Sequence, residues 1–163
     1  MRLQTLIISA IVAIVLQVSL VPYISLSSIT PQLPLLVVIF IGTRRGSYVG
    51  VIAGFLTGLL LDAFSTGFLG LSAMTYSLVG FLSGKVFYWD VALPLGRWAL
   101  ASAVGVLFNT IIFTYIYTLG DAPPFSVMLL RQALPTAGYT WLVGMLWAIS
   151  PLYERRGGMR LEG

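Results

Sequence analysis

Residues 42–62 read GTRRGSYVGVIAGFLTGLLLD, and the reading of this run decides the fold. Glycine recurs at every fourth position, at Gly42, Gly46, Gly50, Gly54 and Gly58, and no charge follows Arg45 until Asp62. At 3.6 residues per turn, that spacing lays the last four glycines along one helical face. Such a face is a groove in which a second helix can approach closely, the usual means of association where hydrophobic drive between helices is weak. Arg44 and Arg45 separate this helix from the apolar stretch before it.

Composition extends the same reading to the whole chain. Of its 163 residues 58% are hydrophobic and 9% are charged, against about 25% charged in soluble domains. That leaves too little polar surface for a water-facing exterior and excludes disorder, which needs low hydrophobicity and high charge. The expectation is one all-α integral membrane domain over residues 1–163. Cysteine and histidine are absent, so disulfides, thiolate or imidazole metal sites and Ser-His-Asp triads are excluded. The net charge of +4 comes from scattered basic residues that form no stripe suited to nucleic acid.

A helix crossing about 30 Å of hydrocarbon needs about 20 apolar residues. Residues 3–21 hold 14 apolar residues and no charge and end at Pro22. They are too long for a signal-peptide core and read as a retained first helix. A short second span over 28–43 opens with Pro31 and Pro34, suited to a first helical turn. It reads as a tilted short helix or a re-entrant segment. Further spans are expected at 46–64, 68–88, 98–119 and 125–150, with a turn at 65–67 and a breaker at 120–124. With six crossings and an inner N-terminus, Arg2, Arg44, Arg45, Lys85, Arg97, Arg155, Arg156 and Arg160 share the cytoplasmic side, and only Arg131 does not. This asymmetry sets both termini inside and makes Arg44 and Arg45 topology anchors.

The glycine face has two readings. It packs the bundle internally, with Gly80 and Gly84 on the fourth span and Ala101, Gly105 and Asn109 on the fifth as complementary surfaces, or it receives a helix from another chain. Asp62 and Arg131 both fall on the outer half, where a buried charge costs up to about 2.5–3.5 kcal/mol. They are expected to pair, fixing the third helix to the sixth. The alternative is that Arg131 snorkels and Asp62 reaches water. Asn109, Gln132 and Gln17 are expected to hydrogen-bond neighbouring helices. Tyr23, Tyr88, Trp89, Trp98 and Trp147 fall near span ends, as in interfacial belts. The sequence has no nucleophile elbow, phosphate loop, dinucleotide fingerprint or carboxylate pair on one face, so neither catalysis nor a cofactor is expected.

Pro34 and the apolar residues after it, the 42–46 turn, the glycine ladder ending at Asp62, the GFLG run at 67–70 and the stretch from Tyr76 to Gly84 resemble the rod shape-determining protein MreD family. The resemblance implies a multi-pass protein of the bacterial cytoplasmic membrane. It would act with the bitopic scaffold MreC, MreB filaments, the glycosyltransferase RodA and a class B penicillin-binding protein in rod shape and lateral peptidoglycan synthesis. It also implies a six-helix bundle similar in architecture to the S subunits of vitamin transporters, a likeness of fold that does not carry function. The rival reading is therefore a substrate-binding transporter subunit, with Asp62, Asn109 and Arg131 lining a pocket. On the scaffold reading, Gly46, Gly50, Gly54 and Gly58 admit the MreC helix. A cysteine introduced at Gly157 should stay unlabelled by impermeant thiol reagents in intact cells and react in inverted vesicles; labelling from outside would reverse the orientation.

Overall fold

The computed structural model describes residues 11–17, 19, 30–64, 69–88, 95–119 and 125–149. The expected turn at 65–67, the breaker at 120–124, the basic tail, and Tyr23 and Trp89 lie outside these residues, as does the side chain of Trp147. Regular structure among the described residues is helical throughout, in six helices. Residues 11–17 and 19 belong to α1. Then come α2 (Leu33–Arg45), α3 (Ser47–Ala63), α4 (Leu71–Val86) and α5 (Leu95–Tyr117). The sixth, α6, runs as Phe125–Met128, a π-helical turn Leu129–Ala133, and Leu134–Ile149.

Only α5, among the described residues, is both long and apolar enough to cross a membrane by itself; α3 is apolar but shorter. The shortest of the fully bounded helices, α2, is the hub. It packs against α3, α4, α5 and α6. Pro34, Leu35, Leu36, Val38, Ile39, Phe40, Ile41, Gly42 and Thr43 are all buried along its 13 residues. Around it close Tyr76 and Val79 of α4, Trp98, Ala101 and Val106 of α5, and Ala137 and Ala148 of α6. A helix apolar on every side is stable only when surrounded.

Local sequence sets each end of α2. Pro34 lies in its first turn, where the missing N–H costs nothing. Arg44 and Arg45 occupy the last turn, facing the negative end of the helix dipole. Gly46 then stops it at φ 86°, ψ 174°, a backbone region open essentially to glycine alone. Its N–H donates to the Gly42 carbonyl at 2.9 Å, while its own carbonyl accepts from Gly50 N–H at 3.0 Å. One residue thus separates α2 from α3, and the two helices fold back on each other.

Beside the last turns of α2 two tryptophans tie α5 to α6. Trp98 Nε1 donates to the Gly144 carbonyl, and Trp141 Nε1 donates to the Ala99 carbonyl, each at 3.1 Å. Trp98, expected at an interface, is instead fully buried, with its ring edge-on to Phe40 at 5.9 Å. Its indole N–H finds a carbonyl across the helix pair, which removes the need for an interfacial partner.

The large residues of α3 point outward and its small ones inward. On α3 the buried positions are Gly50, Gly54, Thr57, Gly58 and Asp62, while Tyr48, Ile52, Phe55, Leu56, Leu59 and Leu60 are exposed. A Cβ on Gly50 would overlap the Gly80 carbonyl, one on Gly54 the Tyr76 carbonyl, and one on Gly58 the Ala73 backbone. Overpacking of this kind costs about 1–3 kcal/mol even where neighbours can shift, and backbone shifts least easily. Gly54→Leu should therefore lower the unfolding midpoint of the purified chain and its cellular accumulation. Gly96→Ala, where a Cβ meets nothing within 4 Å, should change stability by less than about 1 kcal/mol.

Candidate functional site

Two constructions place polar chemistry among these apolar helices. The first is the seam between α2, α3 and α4. Gly42 of α2 lies against Gly80 and Ser83 of α4, Gly50 of α3 against Gly80, and Gly84 of α4 against Gly46 and Ser47. The contacts descend from Gly50 opposite Gly80, through Gly54 opposite Tyr76, to Gly58 opposite Ala73, so α3 and α4 run antiparallel. Ser77 and Ser83 do not cross the seam: their hydroxyls donate to the Ala73 and Gly80 carbonyls of their own helix, at 2.6 and 3.1 Å. Hydroxyls satisfied in this way leave the approach of α3 to α4 at Gly50, Gly54 and Gly58 to backbone atoms.

At the far end of this seam sits Asp62, 2% exposed. One carboxylate oxygen, Oδ2, accepts from the backbone N–H groups of Gly70 and Ala73 at 2.9 and 3.1 Å. The other, Oδ1, accepts from Ser72 N–H at 3.2 Å. These are amides at the N-terminus of α4, whose cap residue, Gly70, has no side chain to offer and holds the left-handed conformation at φ 94°. Asp62 therefore caps the next helix across the turn. Its charge meets the positive end of the α4 dipole, and charge-assisted bonds to backbone amides are roughly twice as strong as neutral ones. The carboxylate is structural in this setting.

The second construction surrounds the N-terminus of α2. Leu33 N–H donates to Gln17 Oε1 of α1 at 3.0 Å, and Gln32 N–H donates to Thr140 Oγ1 of α6 at 3.0 Å. Asn109 Nδ2 of α5 donates to Gln32 Oε1 at 2.9 Å. Thr140 in turn donates to the Thr136 carbonyl at 2.7 Å. Asn109 is fully buried, and its Oδ1 has no hydrogen-bond partner. Side chains of α1 and α6 thus satisfy the first amides of α2, and Asn109 of α5 holds the Gln32 side chain beside them.

Gly46, Gly50, Gly54, Gly58, Gly80 and Gly84, together with Asp62, all lie on this one seam. The groove expected to receive a foreign helix is filled by α4 of the same chain, so it has no room for another. The expected Asp62–Arg131 pair is not formed. Asp62 faces α4, α3 packs on α2 and α4 and not on α6, and Arg131 is exposed on the π turn of α6. Gln132 is exposed beside it, and Gln17 and Asn109 bond to α2. Asp62, Asn109 and Arg131 therefore answer to different neighbours. Arg44 lies over the Phe40 ring, 5.5 Å from its centroid, and Arg45 is exposed. Gln32 and Thr140 were not singled out from the sequence; Gln32, between Pro31 and Pro34 at a helix start, was the one available signal.

A family model described as rod shape-determining protein MreD matches residues 1–149. No curated protein and no solved structure matches the chain.

Removing the Asp62 carboxylate orphans three amides, each costing about 1–3 kcal/mol when buried. Asp62→Ala should thus destabilise the chain by about 3 kcal/mol or more, seen as a lowered unfolding midpoint, and Asp62→Asn by less. A charge swap, Asp62→Arg with Arg131→Asp, should restore nothing; recovery by the swap would contradict the capping role.

Proposed function

The chain belongs to the rod shape-determining MreD family, and from that premise we propose that it is a non-catalytic, multi-pass scaffold of the cell-elongation machinery. A role in rod shape determination and a place at the bacterial membrane come with the family. The finer reading is a single polytopic domain in the cytoplasmic membrane, both termini inside, that binds MreC. It thereby supports MreB, RodA and a class B penicillin-binding protein in lateral peptidoglycan synthesis.

One observation carries the membrane part of this reading. Among the described residues 28 large apolar side chains are exposed, while 11 polar or charged residues are buried. Monomeric soluble proteins rarely show contiguous apolar surface beyond a few hundred Å². In lipid the same arrangement is the favourable one, because small residues bring backbones together and large apolar residues meet hydrocarbon. The exposed faces of α3 and α5, Ile52, Phe55, Leu56 and Leu59 on one and Leu100, Val104, Leu107 and Ile111 on the other, fit hydrocarbon contact.

A second reading, the substrate-binding subunit of a vitamin-type transporter, has one observation in its favour. The orphan Asn109 Oδ1 at the buried start of α2 would accept from a donor-bearing ligand. The dispersal of Asp62 and Arg131 to other surroundings weighs against it.

Depletion of the protein in a rod-shaped bacterium should produce rounded cells. Re-expression of the wild-type chain should restore rods, and tagged chain solubilised from membranes should retain MreC. Normal rods on depletion, or a vitamin retained on purification in place of MreC, would overturn the scaffold reading.

A further inference from the structure

With the glycine seam of α3 filled by α4, the surface that meets a partner must lie elsewhere. We propose that the exposed face of α6, running from Arg131 to Leu146 with Gly138 at its centre, docks the transmembrane helix of a partner that carries a carboxylate to Arg131. This rests on the scaffold reading above and deepens it by naming the surface.

Three observations converge on this face. The first is Gly138. A Cβ built there meets nothing within 4 Å, whereas one at Gly42, Gly50, Gly54, Gly58, Gly80, Gly84, Gly105 or Gly144 meets this chain's own atoms. Glycine in a helix interior costs about 1 kcal/mol relative to alanine. Lipid tails return nothing for that cost, but a second helix backbone seated in the notch does. Gly138 is exposed, with Leu134 and Leu142 exposed one turn to either side and Leu146 one turn beyond. The opposite side of α6 is already committed, through Trp141, Gly144 and Thr140, to α5 and α2.

The second observation is Arg131. It is exposed beside exposed Leu130 and Leu134, and no described carboxylate pairs with it. Asp62, the described acid on the same half, is buried at the start of α4 on helices that α6 does not reach. An arginine at this depth calls for an anion, and a bidentate carboxylate suits its planar fork.

The third is the backbone that presents it. Pro135 has no N–H to continue the α-helical ladder, and Leu134 N–H reaches back five residues to the Leu129 carbonyl. The π turn Leu129–Ala133 takes up this interruption, and both Arg131 and Gln132 lie exposed on it. Such turns inside helices frequently mark functional sites. Arg131 and Gly138 are seven residues apart, about 10 Å along the axis. The occupant is accordingly an apolar helix with a small residue at the notch and an aspartate or glutamate about two turns away, toward the outer end.

The chain has no cysteine, so Gly138→Cys can be paired in membranes with single cysteines along the transmembrane helix of co-expressed MreC. Disulfides should form with a helical period, while Ile52→Cys, on the exposed face of α3, should give none. Arg131→Glu should lower MreC recovery by about tenfold or more, a loss of about 1.4 kcal/mol, with unchanged accumulation. Replacing the partner's acid with arginine should restore recovery. Cross-linking at Gly138 no stronger than at Ile52 would overturn the docking face. So would full recovery with Arg131→Glu, which would make a lipid phosphate the counter-ion. Failure of the wild-type chain to retain MreC at all would instead sink the scaffold reading, and this surface with it.

Discussion

The structure depends on a buried helix that begins inside the bundle. Spanning about 20 Å by helical rise, α2 is enclosed by four neighbours and starts beside Asn109 and Thr140, which lie partway along α5 and α6. Its first two amides, at half-buried Gln32 and Leu33, take their acceptors from side chains of other helices. Gln17 and Thr140 supply those acceptors, Asn109 donates to the Gln32 side-chain oxygen, and together the three bonds fix the relative heights of α1, α2, α5 and α6. The same logic recurs at α4, whose first amides take their acceptor from Asp62 of α3. In both cases the helix start is capped from a different helix. Local propensity alone specifies neither start.

This dependence explains what the sequence disclosed and what it withheld. The close face of α3 at Gly50, Gly54 and Gly58 and its complement at Gly80 and Gly84 were legible, because glycine spacing maps directly onto a helical face, while Gly46, read as the first residue of that face, is instead the positive-φ link before α3. Both features are local. The destination of that face was not legible, since a four-residue period fixes azimuth on one helix and says nothing of which helix fills the groove. Asp62 and Arg131 were matched by depth. Depth says nothing of which helices are neighbours, and among the described residues α3 and α6 do not touch. Trp98 was misassigned for a related reason: a tryptophan near a span end satisfies an interface or a neighbouring carbonyl equally well, and here Gly144 supplies the carbonyl.

Packing small residues inward has a consequence for how partners can bind. A glycine seam that closes α3 on α4 cannot also serve as a dock unless the hairpin opens, and opening it would strip the Asp62 carboxylate of its three amides. The cap and the seam therefore lock each other: one fixes the far end of the antiparallel pair, the other its length. Association with another chain is cheaper where nothing must be undone. On α6 the inward side is held by tryptophan and threonine bonds, and the outward side bears an unfilled glycine and an exposed guanidinium. The packing that holds α6 and the surface proposed for docking thus lie on opposite sides of one helix, so a partner seated there would leave the core around α2 undisturbed.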